Sequence, residues 1–245
     1  SAPTAEHKFA VAESGLWTLD ETNGTKTVKG GVITGGTGTY DKMVYACLGG
    51  GVYNNGVFTM QGGSIVGCVA GKTPGRTDHG DSGRGGGVYN AGTFTMEGGS
   101  LTSLNGGLFY TTNTESEFTL NHVAIEAAAD SEYFLRCTGN ANERGWGQSG
   151  ANGADCTFTA IDQEMNGLVI WDSISTLDLA LTQGTVFTGA VIDDESCAAS
   201  GGSGSCILSL DADSKWIVTG DSVLTTLHAE GEITDAQGRS VPILD

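Results

Sequence analysis

The densest group of titratable side chains in the sequence lies in one stretch rich in glycine. Arg76, Asp78, His79 and Asp81 occur there within six residues. Two carboxyl groups beside an imidazole can exchange protons with a substrate, and carboxylate oxygens can also hold a cation. The same composition is typical of an exposed polar loop. The stretch therefore predicts a ligand-binding loop, with a solvated loop as the alternative.

A second glycine-rich stretch, residues 138–150, contains Arg144 and Trp146. An exposed indole can stack on a sugar ring, and Tyr53 and Tyr89 are further candidates for stacking or for packing. We predict ligand binding, and no catalysis, for six residues: Arg76, Asp78, His79, Asp81, Arg144 and Trp146. Nothing in the sequence shows them converging on one point, which an enzyme site requires.

Two short acidic clusters, residues 193–195 and 211–213, have oxygen ligands that could hold Ca²⁺. Neither matches an EF-hand loop or a glycine-aspartate nonapeptide repeat, so solvated turns are the alternative. The histidines His7, His79, His122 and His228 are scattered, which disfavours a zinc site. We predict no cofactor, with Ca²⁺ as an alternative that no motif supports.

The net charge of −18 excludes two classes of partner. A field of this sign repels nucleic-acid phosphates and anionic lipid headgroups. No apolar run approaches the roughly 18 residues of a membrane span. We therefore predict no nucleic-acid binding and no membrane insertion.

The elements that must position these residues are indicated by an internal repeat. Residues 49–64 and 85–100 both read Gly-Gly-Gly-Val-Tyr-Asn-x-Gly-x-Phe-Thr-Met-x-Gly-Gly-Ser, and a weaker third copy spans residues 27–33. Each copy is a strand pattern bracketed by glycine turns, as expected of a stacked repeat architecture. A 36-residue repeat distance is longer than one coil, which predicts a side loop at residues 71–84. Residues 138–150 are the second predicted side loop.

Alternation within the strands predicts which side chains form the core, because successive strand residues point to opposite faces. The residues predicted to point inward are Phe58, Met60, Phe94, Met96, Phe118, Leu120, Phe158, Leu177, Leu179 and Leu181. The threonines between them are predicted to point outward.

These patterns predict an all-β fold, specifically a right-handed parallel β-helix, or β-solenoid. No amphipathic helices interleave with the strands, which disfavours an α/β fold. Identical residues at identical turn positions favour stacked coils over a sandwich or a propeller. We predict one elongated domain over residues 1–245, with caps at residues 1–24 and 228–245.

The six cysteines form three pairs that are adjacent in sequence: Cys47 with Cys68, Cys137 with Cys156, and Cys197 with Cys206. The first two separations are close to one coil, and stacked strands lie within the span of a disulfide. The spacing therefore predicts disulfides and an oxidising, extracellular setting. Buried thiols that pack as small hydrophobic groups are the alternative.

The repeat blocks resemble the coil repeats of bacterial secreted β-helix proteins, which are often described as adhesin-like or pectin-lyase-like. Residues 144–147, 172–177 and 214–222 extend this likeness over roughly residues 27–227. The resemblance implies a secreted or surface-attached protein and names no ligand. We therefore expect a non-enzymatic adhesin module that recognises glycans or surface proteins. A polysaccharide lyase or glycoside hydrolase is the first alternative.

Ice binding is a further alternative, indicated by outward Thr-x-Thr pairs. These pairs are Thr25/Thr27, Thr93/Thr95 and Thr157/Thr159. A flat ladder of threonines on a β-solenoid matches an ice-binding face, although Glu117 and Asp178 interrupt it. Threonine is also a favoured strand residue in any sheet.

Overall fold

The computed structural model describes residues 51–68, 87–103, 107–129, 131–141 and 147–244. It also describes the backbone of the strand segments 17–20, 25–29, 32–34, 40–41, 46–48 and 83–84.

Short strands account for nearly all the regular structure in these residues. In chain order they are β1 (Trp17–Asp20), β2 (Thr25–Lys29), β3 (Val32–Thr34), β4 (Tyr40–Asp41), β5 (Ala46–Leu48), β6 (Val52–Asn54), β7 (Val57–Gln61), β8 (Ser64–Cys68), β9 (Gly83–Arg84), β10 (Val88–Asn90), β11 (Thr93–Glu97), β12 (Ser100–Ser103), β13 (Phe109–Thr111), β14 (Glu115–Asn121), β15 (Ala124–Glu126), β16 (Leu135–Cys137), β17 (Asp155–Ile161), β18 (Glu164–Asn166), β19 (Val169–Trp171), β20 (Thr176–Thr182), β21 (Val186–Gly189), β22 (Val191–Asp193), β23 (Ser205–Leu210), β24 (Lys215–Val218), β25 (Thr226–Ala229) and β26 (Glu232–Asp235). A single 3₁₀ turn spans Glu195–Cys197.

Among the described residues, these strands form five sheets whose strand order follows the chain at regular intervals. The long sheet has the order β1-β2-β7-β11-β14-β17-β20-β23-β25, and the six-stranded sheet has the order β22-β19-β16-β13-β10-β6. Two four-stranded sheets, β15-β12-β8-β3 and β18-β21-β24-β26, are called the third face here. A small sheet of β4, β5 and β9 completes the set.

Three consecutive strands, one each from the six-stranded sheet, the long sheet and the third face, make one coil. The strands β6–β8 and β10–β12 are the first two complete coils, and β22–β24 form a later one. Equivalent strands of successive coils pair in parallel, and only β1–β2 and β4–β5 are antiparallel strand pairs in the described part. The all-β prediction is confirmed, and the parallel sheets are consistent with a β-solenoid.

The core lies between the sheets and consists of the side chains that alternation predicts to point inward. All ten of those predicted residues are buried, and Phe58 is the most exposed of them at 7%. The aromatic rings stack along the molecule, as in Phe58 on Phe94 at 5.4 Å between centroids and Phe118 on Phe158 at 5.4 Å. The prediction for the core is confirmed.

The two copies of the repeat lie on neighbouring coils, residue for residue. Val52 pairs with Val88, Phe58 with Phe94 and Met60 with Met96. The weaker copy joins the same stack, because Thr27 pairs with Thr59. Residues 69–82 lie outside the described residues, so the side loop at residues 71–84 stays a prediction; within it, β9 pairs with β5.

The asparagine of each repeat is a buried hydrogen-bonding unit at the corner between the six-stranded and the long sheet. Asn54 Nδ2 donates to Asn90 Oδ1 at 2.6 Å and to Gly56 O at 3.0 Å. Asn90 Nδ2 donates to Gly92 O at 2.7 Å and to Glu117 O on the next coil at 2.9 Å. The two side chains add a second hydrogen bond to corner carbonyls that already accept one from the next coil, as Gly92 O does from Glu117 N, and they join three successive coils.

The paired glycines after each repeat strand are needed for two different reasons. Gly98 and Gly99 both have positive φ, 66° and 80°. A Cβ on Gly99 would also lie 2.1 Å from Gly63 O, whereas nothing lies within 4 Å of a Cβ on Gly98. Gly98 is thus required by backbone conformation alone, and Gly99 also by the close approach of the neighbouring coil.

The predicted disulfides are wrong for the cysteines that the structure describes. Of the six predicted residues, Cys68, Cys137, Cys156, Cys197 and Cys206 form no disulfide, and the side chain of Cys47 lies outside the described residues. The assumption behind the prediction, that cysteines about one coil apart stack on each other, does not hold for Cys137 and Cys156, although their thiols form a hydrogen bond. Cys137 stacks between Thr111 and Trp171 in the six-stranded sheet, whereas Cys156 stacks between Ser116 and Leu177 in the long sheet.

The cysteines that are described behave as buried small groups instead. Cys137 is fully buried, and a hydrogen bond that its thiol donates to Cys156, together with burial, raises its pKa well above the usual value. Burial raises the pKa of Cys206 to about 12. Thiols with raised pKa values are unreactive, so these residues pack as hydrophobic groups.

The predicted single domain and its two caps stay predictions. The structure does describe most of the residues of the C-terminal cap predicted at 228–245. Parallel pairing continues through β26, which lies inside the predicted cap at residues 228–245. Asp235, the last residue of β26, accepts hydrogen bonds from the backbone N–H groups of Gln237 and Arg239, which follow the strand. No helix in the described part of the chain is long and apolar enough to cross a membrane.

Replacing Asn90 with alanine tests the role of the corner asparagines. The substitution leaves Gly92 O and Glu117 O without a side-chain donor, and it removes the acceptor of Asn54. We expect Asn90→Ala to lower the free energy of unfolding by about 2–4 kcal/mol, because it removes the hydrogen bonds of Asn90 with Asn54, Gly92 and Glu117, each of which contributes about 0.5–1.5 kcal/mol. Chemical denaturation at constant pH measures this change.

The repeat itself supplies the control. Position 55 is an exposed asparagine, and its equivalent in the second copy is Ala91. Asn55→Ala should therefore change stability by less than about 0.5 kcal/mol. Equal losses in both variants would contradict the assigned role of Asn90.

Candidate functional site

The residues predicted to bind ligand lie outside the described residues, so the structure does not test whether they come together. They fall in residues 69–82 and 142–146: Arg76, Asp78, His79, Asp81, Arg144 and Trp146. Their assignment stays a prediction. The base of the second loop is described, however, and it shows what holds that loop.

The second loop starts and ends at the corner where the six-stranded sheet meets the long sheet. On its first side, Gly139 N donates to Asp172 Oδ2 of the next coil at 2.7 Å. An antiparallel bridge joins Ala141 and Gly147 across the base. The segment that contains Arg144 and Trp146 is thus anchored at both ends on the coil stack.

A loop of a later coil packs beside this base. It comprises residues 194–204 and begins with the 3₁₀ turn. Gly150 N donates to Cys197 O at 2.8 Å, and a Cβ on Gly150 would lie 3.0 Å from the Cβ of Ala199. Ala199 itself has a φ of 55°, unusual for a residue other than glycine. Two loops from different coils therefore meet at one corner of the molecule.

Glu195 holds the later loop against the turn at Ser173. Its Oε1 accepts from Ser173 N at 2.7 Å, and its Oε2 accepts from Ser173 Oγ at 2.6 Å. Ser173 Oγ in turn accepts from Gly202 N at 3.2 Å. The hydrogen bond from the Ser173 hydroxyl lowers the pKa of Glu195, so this clamp is made by a carboxylate.

Two further carboxyl groups at this corner have raised pKa values. Burial raises the pKa of Asp172, which has no exposed surface. Burial, and then a hydrogen bond to Glu195, raise the pKa of Asp193 to about 6. Asp194 forms an ion pair with Arg136 at 3.1 Å. We call these four residues, Asp172, Asp193, Asp194 and Glu195, the acidic corner.

The carboxyl oxygens of Asp172, Asp193 and Glu195 are either hydrogen-bonded to the protein or buried, including Asp172 Oδ1. Asp172 accepts a backbone N–H, Glu195 uses both oxygens for Ser173, and Asp193 Oδ1 is buried without a hydrogen-bond partner among the described residues. A general acid must reach the atom that it protonates. The corner is therefore better suited to anchoring loops than to acid–base chemistry on a substrate.

A second surface, the outer face of the long sheet, is rich in threonine. One column is unbroken over five neighbouring strands, because Thr27, Thr59, Thr95, Thr119 and Thr159 pair in register. The neighbouring column is interrupted, since Val57, Glu117 and Asp178 take positions among its threonines. Sequence reasoning aligned the pairs and the breaks at Val57/Thr59, Glu117/Thr119 and Asp178/Ala180, but it did not single out the one column that is unbroken.

Comparisons with known proteins and a search for metal ligands add no further assignment. No protein-family model matches the chain, and no curated protein and no solved structure matches it. Within the described residues, no group of three or more His, Cys, Asp or Glu side chains is arranged to hold a metal ion.

Asp193 makes the stability of the acidic corner depend on pH. Its pKa is raised in the folded protein from 3.8 to about 6, so its stabilising contribution is complete below pH ~4 and is lost as the pH rises through 6. Asp193→Asn keeps a neutral hydrogen-bonding side chain next to Glu195. We expect it to raise the free energy of unfolding at pH 8 by about 1 kcal/mol, after discounting for solvent screening.

Chemical denaturation at pH 4 and pH 8 measures this difference. The free energies of unfolding of the unmodified protein and of Asp193→Asn should differ little at pH 4, where Asp193 is protonated. Asp221→Asn removes the same charge from an exposed position and serves as the control. A stabilisation of Asp193→Asn that is equal at both pH values would refute the assignment.

Proposed function

We propose that this chain is a non-enzymatic binding module, built as a right-handed parallel β-helix, of a secreted or cell-surface protein. Its proposed partners are glycans or surface proteins, recognised by loops at the corner between the six-stranded and the long sheet. The repeat resemblance supports the extracellular setting. The pairing of successive coils supports the β-helix.

The observation that carries the proposal is the anchoring of two loops at one corner. Gly139, Gly150 and Ser173 each make a hydrogen bond that ties loop backbone or side chain to a neighbouring coil. Binding residues are commonly found on loops that a rigid scaffold positions. Fixed loop ends also reduce the entropy lost when a ligand orders the loop.

Glycan-array and cell-surface binding by the full chain tests the proposal. Trp146→Ala removes the aromatic side chain of the second loop, and we expect binding to weaken tenfold or more, as for a typical aromatic hot spot. Tyr53→Ala is a matched control at a distant strand. Tyr53 is 52% exposed and stacks on Tyr89 at 5.1 Å, so it is an accessible aromatic outside the two loops.

Two results would contradict the proposal. One is the absence of binding to any glycan or cell surface. The other is the release of new reducing or unsaturated ends from a panel of polysaccharides, which would show turnover and favour the lyase or hydrolase alternative.

The unbroken threonine column favours ice binding as a second candidate function. Stacked strands place its hydroxyl and methyl groups at a regular spacing of ~4.8 Å on the sheet, a regularity that ordered water could match. Charged residues in the neighbouring column weigh against it.

Thermal hysteresis at micromolar protein concentration tests this second function. If the column binds ice, Thr119→Lys should abolish the hysteresis, because a long charged side chain disrupts the surface at its centre. Thr188→Lys on the third face should leave it unchanged. Wild-type protein without hysteresis would exclude the ice-binding function.

A further inference from the structure

A groove of about 540 Å³ lies at the carboxyl ends of three neighbouring strands of the long sheet, away from the acidic corner. It is formed where β20, β23 and β25 end. Its apolar surface includes Leu210, Leu227 and Ala229, and its polar groups include Ser209, His228 and Glu230. A mostly apolar concave surface with a few polar groups is the usual form of a ligand site.

Two carboxylates flank the apolar surface because the residue that follows each strand is acidic. Asp211 follows β23, and Glu230 follows β25. Their backbones are fixed by the ladder, since Asp211 N donates to Leu181 O at 3.1 Å and Glu230 N donates to Leu210 O at 2.9 Å. The hydrogen bond from Ser214 lowers the pKa of Asp211, which keeps this carboxylate charged.

The cations closest to the groove along the chain are engaged elsewhere. Lys215 pairs with Glu232 at 3.0 Å, and Arg239 pairs with Asp235. Glu230 is exposed, and in the described part of the chain its side chain makes no hydrogen bond or ion pair. Asp211 Oδ2 accepts a hydrogen bond from Gln183 N at 2.7 Å, and Asp211 Oδ1 is buried. The groove therefore offers an apolar floor and one carboxylate, that of Glu230, in contact with water.

We propose that this groove binds a lysine side chain of a partner protein, with the aliphatic stem on the apolar floor and the ammonium group at Glu230. Lysine combines an apolar stem with a charged end, which matches the two parts of the groove. The net charge of −18 attracts such a partner over long distances. This site is separate from the proposed loop site, and neither depends on the other.

Titration of the full chain with a tripeptide, Ac-Gly-Lys-Gly-NH₂, followed by backbone NMR shifts, tests the proposal. Saturable shifts are expected at residues 209–211 and 228–230. The matching peptide with norleucine has the same stem without the charge, and we expect it to bind more weakly. Raising the salt concentration should weaken only the lysine peptide, because salt screens exposed charges.

Matched variants locate the ammonium group. Glu230→Gln should weaken the lysine peptide about threefold to fivefold, the upper range for an exposed ion pair. Glu164→Gln, which removes the same charge from an exposed position on the third face, should leave the affinity unchanged. Ala229→Lys places a cation of the protein in the groove and should abolish the shifts.

Three outcomes would overturn the proposal. They are shifts that do not saturate at the groove, equal affinity for the lysine and norleucine peptides, and tighter binding of spermidine than of the lysine peptide. The last would assign the groove to a free polyamine. Because the loop variants leave the groove untouched, failure here is distinguishable from failure of the proposed loop site.

Discussion

Parallel stacking of each coil on the next, in register, is the constraint on which the rest of the structure depends. Each residue of an interior strand has neighbours about 4.8 Å away on both sides. A side chain at a given position of a coil must therefore fit against the side chains at the same position of the two adjacent coils. Asn90 meets this requirement because its side chain accepts a hydrogen bond from Asn54 on the preceding coil and donates one to Glu117 O on the following coil. Gly92 meets it by having no Cβ, which would lie 2.2 Å from Gly56 O. These contacts explain why the repeat preserves its asparagine and glycines.

The same constraint decides where the chain can vary. A residue inserted within a strand would shift every later side chain to the opposite face, whereas a residue inserted at a corner leaves the register unchanged. Equivalent positions on successive coils are accordingly separated by as few as 17 residues, from Lys215 to Glu232, and as many as 40, from Glu115 to Asp155. Loops therefore emerge at corners, and their ends inherit the rigidity of the stack.

Sequence patterns were sufficient to predict the parts of the fold that repeat from coil to coil. Alternation around Phe94 and Phe118 predicts the core because a strand has a fixed period of two. The cysteines could not be assigned in the same way, since coil length varies and Cys137 and Cys156 fall on different sheets. The clamp between Ser173 and Glu195 was also missed. It joins residues 22 positions apart in two turns, and no periodic signal connects them.

The distribution of charge shows why a dense acidic cluster is not the best place to bind a cation. At the acidic corner, a cation would have to displace hydrogen bonds that Asp172 and Glu195 already accept from the backbone. Buried carboxylates that lose such partners are strongly destabilised, so this exchange is unfavourable. On binding a cation, Glu230 would give up only its contacts with water. The apolar residues next to it in the groove would add hydrophobic contact, which the acidic corner lacks. Availability of the carboxylate, rather than the number of acidic residues, therefore selects the groove over the corner as the site for a cationic partner.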